Sequence, residues 1–193
     1  TTKNMLIPYK NHIIFAFSDT HGMHSRLVIP SQADILICAG DGINGIEKQE
    51  LSDFFNWYAA QPALLRIFVA GNHELLFDLY PDEARLLIPR GIRLLENSGM
   101  KYDDISFYSL AARPWLHQAV EIPSEVDFLI THGPAKGVLD EGTGCALLQK
   151  VISKYKPLNH VFGHIHACGN QMETSSNTTY YNVSRHETLQ NGI

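Results

Sequence analysis

Short apolar runs of strand length recur along the chain: "HIIFAFS" (12–18), "DILICAG" (34–40), "LLRIFVAG" (64–71), "VDFLITH" (126–132) and "HVFGH" (160–164). Each is rich in Ile, Val, Leu or Phe and predicts a buried strand. Helical spacing falls between some of them. In "EKQELSDFFNWYAAQ", Leu51, Phe54, Phe55, Tyr58 and Ala59 sit at i, i+3, i+4, i+7 and i+8, and in "CALLQKVISKYK" Leu147, Leu148, Val151, Ile152 and Tyr155 do much the same. Pro62 and Pro157 follow closely, as helix stop signals do. "GIRLLENSGMKYDDISFYSLAARPW" (91–115) reads as consecutive strands, and "METSSNTTYY" (172–181) as a hairpin turn between two more. Strands alternating with helices predict a layered α/β domain with a mixed sheet or a pair of sheets. A chain of 193 residues suits one domain, 1–193, rather than two.

The chemistry sits where these runs stop. "IIFAFS" leads into Asp19 and His21, "DILICAG" into Asp41, "LRIFVAG" into Asn72 and His73, "DFLIT" into His132, and "HVFG" into His164 and His166. The carboxyl edge of an open α/β sheet is where sites are built, because strand ends converge there on rigid supports. Gly40, Gly71 and Gly163 precede three of these residues, where a missing Cβ permits a sharp turn or close packing. A single histidine after a strand is more often structural than functional, but five strand ends carrying Asp, Asn or His are hard to obtain by chance. Asp19, His21, Asp41, Asn72, His132, His164 and His166 offer carboxylate, amide and imidazole donors without thiolate. Such donors suit Mn, Fe, Zn or Mg rather than a structural cysteine–zinc site. Seven donors are too many for one tetrahedral ion and suffice for two if a carboxylate bridges, an arrangement widely used to cleave phosphoesters.

"SDTHG", "AGD", "AGNHE", "THGP" and "FGHIH" together resemble the calcineurin-like metallophosphoesterase pattern D-x-H, G-D, G-N-H-[DE], H, G-H-x-H, in that order. "FVAGNHELLFD", "THGPAKG" and "VFGHIHACG" are most similar to its small metallophosphoesterase-domain-containing branch, which includes cyclic nucleotide phosphodiesterase-type proteins. The resemblance implies a four-layer αββα sandwich of two mixed sheets, with two divalent ions at the strand ends. Manganese is the first candidate, with Fe, Zn or Mg as alternatives. One ion would take Asp19, His21 and His166, the other Asn72, His132 and His164, and Asp41 would bridge. Two such ions and two carboxylates leave a centre of about +2, an attractive seat for a phosphate. A water shared by the ions would lose a proton near neutral pH and attack phosphorus in line. His73 would protonate the leaving oxygen or stabilise the transition state, oriented by Asp19 or Glu74. The expected substrates are small phosphodiesters of nucleotide type, 2′,3′- or 3′,5′-cyclic nucleotides first. A phosphomonoesterase or phosphoprotein phosphatase, or a weakly active metal-binding scaffold, is the alternative.

Other features narrow the field. "GDGING" (40–45) spells G-x-G-x-x-G after a strand, but its second position is Asp41, whose carboxylate would repel a pyrophosphate. A net charge of −5 with no basic run argues against general nucleic-acid binding. No apolar run approaches the ~20 residues of a membrane span, and the opening residues lack a signal-peptide pattern. The three cysteines Cys38, Cys145 and Cys168 are odd in number and far apart, so a reducing, cytoplasmic setting is expected. Ten histidines exceed the needs of solubility. His12, His24, His117, His160 and His186 fall outside the pattern, with His160 read as structural and His24 as a loop residue near the rim. Arg113 and Trp115, in "AARPWLH", would hold a phosphate and stack on a base, or else form a loop anchored by the indole. Oligomeric state has no signature in the sequence.

Overall fold

The structure, a computed structural model, describes residues 5–192. Residues 1–4 and 193, part of the single-domain reading, lie outside the described residues. Among the described residues, eleven strands and five α-helices follow in the order β1 (Leu6–Tyr9), β2 (His12–Phe17), β3 (Ile35–Cys38), α1 (Lys48–Ala59), β4 (Leu65–Phe68), α2 (Leu76–Leu79), α3 (Pro81–Leu86), β5 (Arg93–Leu94), β6 (Gly99–Tyr102), β7 (Ile105–Ser109), β8 (Phe128–Ile130), α4 (Ala146–Tyr155), β9 (Asn159–Phe162), β10 (Gln171–Ser175), β11 (Thr178–Asn182) and α5 (His186–Asn191). All five apolar runs are strands, and both amphipathic segments are helices. The stretch 91–115 carries β5, β6 and β7, and "METSSNTTYY" spans the β10–β11 hairpin. β1, α2, α3 and α5 are additions that no apolar periodicity announced.

The strands form two mixed sheets, ordered β1-β2-β3-β4-β5 and β10-β11-β9-β8-β7-β6. β2 through β5 run parallel, as do β7, β8, β9 and β11, while β1, β6 and β10 are antiparallel edges. Alternation along each strand sends side chains to two buried faces. Ile14, Ile35, Ile37 and Ile67 meet Phe107, Phe128, Ile130 and Val161 between the sheets. On the outer face of the first sheet, Phe15, Phe17 and Phe68 pack against Leu51, Phe54, Phe55 and Tyr58 of α1. On the outer face of the second, Leu129 and Phe162 pack against Leu148, Val151 and Ile152 of α4. The result is the four-layer αββα sandwich that the family pattern implied. Parallel strands buried on both faces bring their carboxyl ends to one edge.

Candidate metal centre

At that edge the two sheets are stitched together. Ser18, just after β2, forms a parallel bridge with Ser184, just after β11. Ser18 N donates to Val183 O at 3.1 Å and Arg185 N to Ser18 O at 3.0 Å. Asp19 N donates to Gly40 O at 2.9 Å and His21 N to Asp41 O at 3.0 Å, so the loops after β2 and β3 run side by side. The glycines make the approach possible. A Cβ on Gly71 would fall 2.2 Å from Asp41 Oδ1, and one on Gly163 would fall 1.9 Å from Ser18 Oγ and 2.4 Å from Asp19 Oδ2.

Asp19 and Asp41 are fully buried beneath the centre. Asp19 Oδ1 lies 3.2 Å from His166 Nε2 and 3.6 Å from His21 Nε2, and those two nitrogens face each other at 3.2 Å. His21 Nε2 is also 3.8 Å from Asp41 Oδ2. Donors held about 2.0–2.2 Å from one ion lie roughly 3–3.6 Å apart, the spacing of this triangle. On the other side Asp41, His132 and His164 present donor atoms within 4.8 Å of one another, and Asp41 also groups in that way with His21 and His73. Asp41 therefore stands between two donor sets. His132 Nδ1 donates to the Ala39 carbonyl at 2.7 Å, which turns Nε2 inward. That Nε2 is 3.1 Å from Asp41 Oδ2, an ion-pair distance, but makes no hydrogen bond of good geometry. Asn72 Oδ1 is likewise buried and unpaired. Two shielded donors without hydrogen bonds, aligned with an oxygen and nitrogen set that lacks thiolate, fit divalent cations.

The electrostatics agree. Burial works to raise the Asp19 carboxyl, yet hydrogen bonds from His166, His21 and Ser18 and the charge of His132 hold it well below the usual range. Asp41 is also lowered: burial opposes ionisation, and His132 outweighs it. Burial disfavours a charged His132, but the Asp41 carboxylate pushes it up to about 10. Positive charge is what this pocket of carboxylates demands. Backbone geometry is committed to the same end. Asp19, His21, Asp41 and His164 all adopt left-handed φ, at 56°, 44°, 55° and 68°. Non-glycine residues persist there, at roughly 1 kcal/mol or more each, only where the surroundings impose it.

Glu74 and His73 differ from expectation. Neither Asp19 nor Glu74 orients His73; its Nδ1 instead faces the Asn44 carbonyl at 3.3 Å, and its backbone N–H donates to Asp41 Oδ1 at 2.8 Å. Glu74 is fully buried and accepts the N–H groups of Gly42 at 2.8 Å, Asp41 at 2.9 Å and Gly71 at 3.1 Å. It pins the loops after β3 and β4 to each other. Burial and then the Asp41 carboxylate push Glu74 up to about 8, against the pull of its donors. Asn44 exchanges two hydrogen bonds with His21, at 3.0 Å from Nδ1 and 2.9 Å to the carbonyl.

Peripheral residues sort as follows. His24 packs on Phe54 and Trp57 of α1 instead of joining the centre. Arg113 is engaged by Asp78 at 2.6 Å and Glu96 at 2.8 Å, so it is tied to α2 rather than open to a phosphate. Trp115 is half exposed, its indole N–H donating to the Thr143 carbonyl at 2.9 Å. His160 is structural: it is buried, hydrogen-bonded to Thr131 Oγ1 at 2.8 Å, and pushed down to about 3 by burial. The centre also holds a histidine that no motif identified, His186, whose ring lies 4.3 Å from that of His166 and 5.0 Å from that of His21. It too follows a strand end, that of β11, a signal hidden behind the polar hairpin.

Comparison with known proteins points to the same family. A model of the calcineurin-like phosphoesterase family matches residues 12–168. Metallophosphoesterase domain-containing protein 1 of Homo sapiens is 32% identical over 211 residues, covering 86% of this chain and 64% of the relative. A UPF0046 protein of Caenorhabditis elegans is 28% identical over 202 residues, covering 89% of this chain and 69% of the relative. The chain thus spans about two thirds of the length of these relatives. The crystal structure of TT1561 of Thermus thermophilus superimposes with a TM-score of 0.65 at 13% identity, over 94% of this chain and 96% of that one, a likeness of fold.

Proposed function

The chain belongs to the calcineurin-like phosphoesterase family of metal-dependent phosphoesterases, and from that premise we propose that it is a dinuclear phosphodiesterase for small, nucleotide-type diesters, with 2′,3′- or 3′,5′-cyclic nucleotides the first candidates. The observation that carries this reading is the pair of donor groups meeting at Asp41. Asp19, His21 and His166 would hold one ion and Asn72, His132 and His164 the other, with Asp41 within reach of both. Manganese is the first choice among divalent ions that accept such ligands. When bound, the ions supply charge neutralisation for the phosphate and acidify water. The protein's own groups do the rest. Asp41 is held by the His73 backbone N–H. His73 donates Nδ1–H to the Asn44 carbonyl, which leaves Nε2 free; as imidazolium, with both nitrogens protonated, it would pass the Nε2 proton to the leaving oxygen and return to the neutral Nδ1–H form. Asn44 also braces His21, so one residue aligns a ligand and the proton donor.

Substrate size and class draw support from a hollow of about 390 Å³ beside His166, lined by Asn170, Gln171, Ser184 and Thr188 among others. Its amides and hydroxyls offer partners to the edge of a base or a ribose, beside Ala167 and the Glu187 carboxylate. Among the described residues no helix is long and apolar enough to cross a membrane. The free cysteines Cys38, Cys145 and Cys168 support a reducing, cytoplasmic setting. The shared core between the sheets supports treating 1–193 as one catalytic unit.

The test is turnover by protein reconstituted with Mn, Fe, Zn or Mg and offered cyclic nucleotides, nucleoside monophosphates, a bis-aryl phosphodiester and a phosphopeptide. Diester cleavage, fastest on a cyclic nucleotide, is expected. Preference for the monophosphates or the phosphopeptide overturns the substrate reading. Silence on every substrate at measured two-metal occupancy would leave a metal-binding scaffold.

A further inference from the structure

We propose that His186 is an additional protein ligand of the ion held by Asp19, His21 and His166, an inference that rests on the dinuclear reading above. His21, His166 and His186 each offer a donor atom within 4.8 Å of the others. Two nitrogens on one ion lie roughly 3–3.6 Å apart when adjacent and at most about 4.2 Å when opposite, so the His186 ring would close inward to complete the set. His186 Nδ1 is shielded from solvent and has no hydrogen-bond partner. The His166 ring lies only 4.3 Å away at 32°, and the His21 ring meets His186 edge-on at 5.0 Å. Three imidazoles gathered over a buried aspartate, with two facing nitrogens at 3.2 Å, make sense around a cation.

The segment that delivers His186 is built, not incidental. Ser184 and Arg185 are buried and bonded to Ser18, the residue before Asp19, through the Ser18–Ser184 bridge and the Arg185 N–H. The Arg185 guanidinium stacks over Phe15 at 5.0 Å, and Leu189 packs into the outer core with Phe54 and Phe77. The loop carrying one ligand thus fixes the approach of the other. With His186 bound, this ion has three imidazoles and Asp19 besides the bridging Asp41. That set leaves it little room for substrate, and shifts the open positions to the ion at Asn72, His132 and His164. Three nitrogens also favour Zn, Fe or Co over Mg at this position.

The experiment is titration of metal-free protein with Co(II), read by visible absorption and by metal count after equilibrium dialysis, without reference to turnover. Wild type should take up two ions. His186→Ala should keep one tightly and hold the other about 100-fold more weakly, at the upper end of what loss of a mere orienting group costs, with a changed visible band. His117→Ala, an exposed histidine, should match wild type. His186→Gln replaces the alanine variant if the latter melts early. Two ions at wild-type affinity with an unchanged spectrum overturn the inference. So does intact Co(II) binding with a slowed rate, which would make His186 a substrate contact. Wild type that binds fewer than two ions brings down the dinuclear reading itself, and this inference with it.

Discussion

Glu74→Ala separates a pinning role from a catalytic one. The Glu74 side chain accepts three buried N–H groups, from Gly42 at 2.8 Å, Asp41 at 2.9 Å and Gly71 at 3.1 Å. Carboxyl oxygens accept whether the group is charged or neutral, so the count does not depend on its protonation. Alanine strands all three donors. At about 1–3 kcal/mol for each buried group left unpaired, the loss is roughly 3–6 kcal/mol once water enters the vacated volume. That is a large share of the ~5–15 kcal/mol by which domains are stable. With a urea dependence of about 2–3 kcal/mol/M for a chain of this size, the midpoint of metal-free protein should fall by about 1–3 M, measured by far-UV circular dichroism. His73→Ala is the companion, since His73 is partly exposed and its side chain bonds the Asn44 carbonyl and neighbours the His21 ring and the Asp41 carboxylate without burying a stranded donor. It should shift the midpoint by less than about 1 kcal/mol. A Glu74→Ala midpoint within about 0.3 M of wild type, below 1 kcal/mol by the same dependence, would refute the hydrogen-bond accounting.

Other consequences are as direct. Asp41→Ala should abolish binding of both ions, while His73→Ala retains both and loses rate; full rate in the His73 variant would remove its proton-transfer role. Gly71→Ala drives a methyl to 2.2 Å from Asp41 Oδ1 and should cost about 1–3 kcal/mol of stability, with weakened metal uptake; a variant that takes up two ions normally would show that the loop yields. Far from the centre, His12 bonds Asp34 at 2.7 Å and Asp103 at 3.0 Å. The Asp34 bond leads in raising its imidazole pKa, with burial opposing. This stabilisation is complete below the unfolded value near pH 6.5 and is lost as pH rises through the higher folded value. Urea midpoints taken from pH 6 to 9 should therefore fall in wild type and fall less steeply in His12→Gln, the remaining slope coming from Glu74, pushed up to about 8, and His132, pushed up to about 10; equal slopes would exclude a contribution from His12.

Much of the molecule was legible in local pattern. The apolar runs from His12 to Phe162 became β2, β3, β4, β8 and β9, and the candidate ligands lie just past their ends. Strand periodicity and strand termination are encoded within a few residues, so a single sequence carries them. Gly71 and Gly163, read as positions of close packing, do admit Asp41 and Ser18 against bare backbone. Four residues could not be placed from local pattern because their partners lie far away in the chain. Glu74 answers to backbone of residues 41, 42 and 71 rather than to its neighbour His73. His24, three residues from His21, is turned onto α1 by Phe54 and Trp57. Arg113 is claimed by Asp78 and Glu96. His186 reaches His166 only because β11 lies parallel to β9 and leads back to Ser18.

The sequence alone determined the alternation of strand and helix, the donor residues, and the end of each strand at which they stand. Tertiary structure decided which donors meet, which oxygen of Asp41 faces the histidines, and what braces them. The reason is physical: a side chain's local pattern sets its element and face, but its partners are set by sheet order and loop contact, across separations as long as the 166 residues between Ser18 and Ser184.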